Sequence, residues 1–188
     1  VINDTKITSR PITALEAQDY LFEAWIFFEF IDFIEKKGYK CHLTFGKKIR
    51  STKEATRFFT FNIDGVDVKF QYEAGHKSWI GSREMYPDFT VKINEKIIYI
   101  LDAKNYARNV EGKDPINADI ARQLAFYLMS YNCDRGAFIF PYAPEENYFK
   151  TFPNPGGAQK VDCLRMTPNW KSTTGKIRNQ TFEFIFKQ

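Results

Sequence analysis

The sequence predicts a layered α/β domain, on three observations. A long apolar run ends at Gly38, β-like runs fill residues 39–72, and a hairpin, a second helix and a further strand follow by residue 141. The first run, Leu15 to Lys37, lacks Gly and Pro, and Thr13 with Glu16 makes a capping box ahead of it. The runs CHLTF, TRFFTFNI and VDVKFQY then read as three strands, the last two joined by Asp64-Gly65, a hairpin-turn signal. Residues 73–86 read as an irregular connection. DFTVKI and KIIYILDAK form a hairpin around Asn94-Glu95, and the second strand is apolar enough on both faces to be central and covered. Asp114-Pro115 offers an N-cap and first helical position for a helix reaching about Tyr131. GAFIFPY is another strand, residues 141–159 read as a long Pro- and Gly-rich loop, and two strands are expected near 160–166 and 180–187.

Composition bounds the function class. The 188 residues are 44% hydrophobic and 17% aromatic, with 19 Phe and 10 Tyr, which excludes a disordered chain. A single domain of this size buries roughly 70% of its unfolded surface and needs no disulfide or metal staple. Cys41, Cys133 and Cys163 are odd in number and widely spaced, with no CxxC pair, so neither a disulfide framework nor a zinc site is signalled. A reducing, cytoplasmic location is expected, and Cys133 is expected in the core. No apolar run approaches the roughly 20 residues that span a bilayer, and the N-terminus has no signal pattern, so no membrane partner is expected. The first residue, Val, suggests a processed chain or a domain cut from a longer one.

The net charge of +4 is unevenly spread. Residues 36–57 carry a local +7, leaving −3 on the other 166. Such a stretch is either a solvated lysine-rich loop or a surface for a polyanion.

The hairpin carries the chemistry. Asp102 and Lys104 point to one face of its second strand. With a three-residue loop, Asn94 to Lys96, Ile93 faces Ile97 and Asp88 falls opposite Asp102. Opposed carboxylates repel at roughly 4.5–5.5 Å between Cβ atoms and need compensation. A hard divalent cation would supply it, and Lys104 could orient an attacking water. On the first helix, Glu29, Asp32 and Lys36 share a solvent stripe, whereas Glu23 lies about 120° away beside apolar neighbours. Glu23 therefore either emerges into water or sits at the rim of the same metal site.

Pro87-Asp88 followed by Asp102-Ala103-Lys104 resembles the PD-(D/E)XK nucleases, and Gln123 to Tyr127 resembles the QxxxY element of their RecB-like branch. The LFEAW run of Leu21 to Trp25 and the element order look most like the nuclease domain of McrC-type subunits of modification-dependent restriction systems. The resemblance covers roughly residues 15–141. It implies a restriction-endonuclease-like mixed β-sheet flanked by α-helices, with a core at about 13–141 and a C-terminal loop and strands at 142–188. It also implies a metal-dependent DNA endonuclease. Asp88 and Asp102 would bind Mg²⁺ or Mn²⁺ together with the Ala103 carbonyl and Glu23; Lys104 would position the water, and Gln123 and Tyr127 would brace the site. Lys47, Lys48, Arg50, Lys77 and Arg83 are the candidates for DNA phosphates. His76 is not required by the pattern. Expected partners are DNA, with a dimer on DNA as one arrangement, and an AAA+ nucleotide-hydrolysing motor on the McrC-like reading. The alternatives are a binding or assembly module of the same fold without catalysis, and a repair exonuclease or junction resolvase.

Overall fold

The computed structural model describes residues 14–45, 57–77, 84–105, 118–141, 150–166, 180–183 and 185. Thr13 and Asp114-Pro115 lie outside them, as do Lys47, Lys48, Arg50 and Arg83.

Helix α1 (Ala14–Lys36) turns Phe22, Ile26, Phe27, Phe30, Phe33 and Ile34 onto the sheet. It ends in a Schellman motif. Gly38 takes φ 92°, its N–H bonds the Glu35 carbonyl, and the Tyr39 N–H bonds that of Ile34. Strands β1 (His42–Phe45), β2 (Arg57–Ile63) and β3 (Val66–Tyr72) follow as expected, with Asp64 and Gly65 both at positive φ in the second turn.

The connection expected to be irregular contains a small second sheet, β4 (His76–Lys77) paired with β5 (Glu84–Met85). The Tyr131 hydroxyl bridges it, its one proton shared between the carbonyls of Met85 and His76. Next come β6 (Phe89–Ile93), β7 (Lys96–Ala103), α2 (Ala118–Tyr131) and β8 (Arg135–Phe140). Last are β9 (Lys150–Pro153) and β10 (Lys160–Arg165).

The main sheet runs β1-β2-β3-β6-β7-β8-β10-β9. β7, β8 and β10 are parallel neighbours and the other pairs antiparallel. Parallel strands need a crossover, and α2 supplies the one between β7 and β8. A mixed sheet with α1 on one face and α2 on the other is the restriction-endonuclease-like architecture. Much of the aromatic content fills the α1 side, where Phe70 stacks on Phe59 at 5.0 Å and meets Phe30 at 4.5 Å.

Two expectations near the C-terminus are corrected. Within the expected loop of 141–159, β9 forms an edge strand because Phe152 packs beside the α2 core and the Thr151 hydroxyl bonds buried Asp162. Residues 180–183 and 185 are helical instead of a strand. Phe182 and Ile185, three apart, share one face toward the core; Phe182 lies 4.3 Å from the Phe30 ring and 4.9 Å from that of Phe33. Cys133 is buried, as expected.

Candidate active site

The β6–β7 turn has two residues, not three: Ile93 pairs with Lys96, and Asn94 and Glu95 both take positive φ. That register alone would place Asp88 out of step with Asp102. A bulge corrects it. Lys92 pairs with Ile97 but Val91 with Tyr99, so Ile98 is an extra residue on β7. From there Phe89 faces Leu101, and continuing by one residue brings Asp88 level with Asp102.

β7 lies between β6 and β8, and its C-terminal half is buried on both faces, toward α1 on one and α2 on the other. Alternation sends Tyr99, Leu101 and Ala103 into the α1 core and Ile100 and Asp102 to the α2 side. Asp102 is 1% exposed. Asp88 is fastened at both ends. Its Oδ2 accepts the Ala103 N–H at 2.7 Å, and its carbonyl accepts the Glu73 N–H at 2.8 Å. Glu73 takes φ 48° and pairs with Arg57 at 3.0 Å. Two residues on, a Cβ on Gly75 would stand 2.6 Å from the Tyr86 ring, so glycine lets this segment approach Tyr86 closely.

Lys104 Nζ lies 2.9 Å from Asp102 Oδ1, to which it donates, and 2.8 Å from Oδ2. Oδ2 is buried and has no hydrogen bond of good geometry among the described residues. Nζ also donates to Gln123 Oε1 at 3.3 Å, and Gln123 Nε2 donates to the Tyr127 hydroxyl at 3.2 Å. The i, i+4 spacing of Gln123 and Tyr127 thus extends one ladder from α2 to the acids. The Lys104 backbone is fixed by its N–H to the Ile139 carbonyl.

Glu23 approaches from the α1 side, where its Oε2 accepts the Tyr72 hydroxyl at 3.1 Å. Burial, opposed by that hydrogen bond and reinforced by Glu73, Asp19 and Asp102, raises its pKa to about 7. Asp88 is held well above the usual carboxylate range by burial first, then by Asp102 and Glu23. Lys104 is the cation that opposes this. The centre is therefore short of positive charge, and an oxygen-seeking divalent cation fits it. No three His, Cys, Asp or Glu side chains converge as a ligand set among the described residues. A cation such as Mg²⁺, which keeps several waters, needs only one or two carboxylates.

Lys77 is exposed on β4. His76 bonds Thr90 Oγ1 through Nε2 at 3.0 Å, and burial with Lys92 and Lys69 lowers its pKa to about 4. It is a neutral packing group. Sequence reasoning missed Tyr72 and Glu73: the first lies in ordinary strand alternation, and nothing local announces the positive φ of the second.

A family model, the LlaJI restriction endonuclease, matches residues 75–170, half of the chain. The chain belongs to the LlaJI restriction endonuclease family. The matched segment of this LlaJI-family chain runs from β4 past β10 and contains Asp88, Asp102, Lys104, Gln123 and Tyr127, whereas Glu23 and α1 precede it. No curated protein sequence matches significantly. Among solved structures, the chain is similar to one in the refined half-complex from a tetradecameric assembly of Thermococcus gammatolerans McrB AAA+ hexamers with bound McrC. The identity is 16% and the TM-score 0.45, and the match covers 62% of this chain and 28% of that one. Among the described residues no helix is long and apolar enough to cross a membrane.

Proposed function

We propose that this restriction-endonuclease domain is a PD-(D/E)XK enzyme that hydrolyses DNA phosphodiester bonds with Mg²⁺ or Mn²⁺. One observation carries the reading: Asp102, almost completely buried, keeps an oxygen without a hydrogen bond of good geometry beside a second carboxylate and a lysine. Lys104 is the cation set against these two adjacent carboxylates, which leaves the pair short of positive charge.

Asp88 and Asp102 would hold the cation with the Ala103 carbonyl; Glu23, which accepts the Tyr72 hydroxyl and does not converge with them as a third ligand, would act from the rim of the site. When bound, the cation supplies positive charge against the scissile phosphate and lowers the pKa of attached water. Lys104, held by Asp102 and Gln123, presents its ammonium to the attacking water and the phosphate. Gln123 and Tyr127 keep that side chain in place. Lys47, Lys48, Arg50, Lys77 and Arg83 are proposed phosphate contacts. On the McrC-like resemblance of the sequence, the domain works within a longer chain and with an AAA+ motor.

Supercoiled and linear DNA with Mg²⁺ or Mn²⁺ test the activity and separate internal from terminal cutting. Cleavage that disappears in folded Asp102→Ala and Lys104→Ala is expected; cleavage surviving both overturns the assignment. Calorimetry supplies a readout that needs no motor: Mn²⁺ binding is expected for the native chain and not for Asp88→Ala.

A further inference from the structure

α2 packs on β7 and β8, and on the same side of the sheet the β1–β2–β3–β6 part carries a trough. Two grooves, of about 590 and 550 Å³, adjoin one another, with Lys92 and Glu95 in the walls of both. Registry explains the lining. His42 pairs with Thr60, Thr60 with Lys69, and Lys69 with Lys92, which makes a transverse row across four strands. At about 4.8 Å between strands the row is roughly 14 Å wide. Lys40 flanks it, and Lys77 and Lys96 line its continuation. Among the described residues, five lysines thus stand against Asp67 and Glu95.

The two central lysines are positioned rather than loose. Lys69 Nζ sits 4.4 Å from the centroid of the Phe58 ring, and the Lys92 side chain is only 14% exposed, with Glu95 3.7 Å away. Stems laid on apolar surface lose less freedom when the head meets an anion. Ser130 Oγ, buried and without a hydrogen-bond partner among the described residues, belongs to a residue lining the same continuation. The trough also shares its face with the acids. Asp88, Thr90 and Lys92 alternate onto one side, so Lys92 stands about 13 Å along the strand from Asp88.

From this arrangement we infer that the trough holds the phosphate backbone of duplex DNA, with Lys69 and Lys92 as its central contacts and Lys40, Lys77 and Lys96 at its margins. The inference deepens the nuclease reading and rests on it for the identity of the polyanion. A backbone laid here is gripped a few nucleotides from the phosphate presented to Asp88 and Asp102. The contacts are to phosphate, so they carry affinity and register but no base preference.

The test is equilibrium binding of the full chain to a labelled duplex in EDTA, repeated over a salt series, which separates it from metal and catalysis. Two variants are compared: Lys69→Gln with Lys92→Gln, and the exposed pair Lys40→Gln with Lys77→Gln, which does not disturb packing. Each lysine removed from a phosphate flattens the log–log salt slope by about one unit. A shallower slope and weaker binding are expected in both pairs, or in the exposed pair alone if the first fails to fold. Slopes equal to the native one, or no duplex binding by the native chain, overturn the inference; unchanged slopes would leave the trough to an acidic protein surface. Lysine-dependent binding without cleavage under Mg²⁺ would instead retain the trough and remove the nuclease reading.

Discussion

The Asp88 carboxylate accepts the backbone N–H of Ala103 at 2.7 Å, which fixes it beside Asp102 although the two acids repel. The raised pKa of Asp88 gives this arrangement a pH signature. A carboxyl whose folded pKa exceeds its unfolded value stabilises the fold at low pH and loses that contribution as pH rises through the folded value. Asp88→Asn keeps an acceptor for Ala103 and removes the charge. In EDTA, its melting temperature should exceed that of the native chain at pH 8 by about 2–4 °C, for about 1 kcal/mol, with the gap shrinking toward pH 4. Thermal melts at both pH values check this; a variant no more stable at pH 8 would mean that the acids do not oppose one another.

Lys104 is expected to separate stability from catalysis. Lys104→Met keeps the stem but leaves buried Asp102 without its cation. Cleavage should fall by about 10²–10⁴-fold, and the EDTA melting temperature should drop because a charge is left unpaired. Mg²⁺ should then raise the melting temperature of the variant more than that of the native chain. Equal shifts in the two proteins would argue against a cation at Asp102.

His76 predicts the opposite pH dependence to Asp88. Its pKa of about 4 lies below the ordinary 6.5, so the unfolded chain binds the extra proton between those values. The contribution of neutral His76 is complete above pH 6.5 and is lost as pH falls through about 4. Denaturant midpoints of the native chain relative to His76→Gln should therefore converge or cross on acidification from pH 7 to 4. A constant difference would place the imidazole in water.

Phe182 tests the C-terminal helical residues. Phe182→Ala removes a fully buried ring that meets Phe30 and Phe33, and should cost about 3–5 kcal/mol. Urea unfolding measures it; a loss below about 1 kcal/mol would detach Phe182 and Ile185 from the core.

Local chemistry made much of the architecture legible. Gly38 announced the end of α1, Asp64-Gly65 the β2–β3 turn, and the apolar run of β7 its central place in the sheet. Where several weak signals competed, the chain alone misled. Phe182 and Ile185 fit strand or helix equally over so short a run, and contact with α1 decided for helix. β9 owes its place to Phe152 and to the partner Asp162 offers Thr151, which no neighbour in sequence reveals.

At the site the division has the same cause. The residue types and their alternation determined that Asp102 and Lys104 share a face and that Gln123 and Tyr127 can reach a common partner. The spacing also suggested that Asp88 meets Asp102, but through a three-residue turn that does not form; the two-residue turn and the bulge at Ile98 compensate one another. Only the tertiary structure decided that compensation, the Glu73 N–H that holds the Asp88 carbonyl, and the row of Lys69 and Lys92 on the acids' own face. Sequence specifies what is local, a turn residue or an alternating side; registry between strands distant in the chain is set by the packing of the whole sheet.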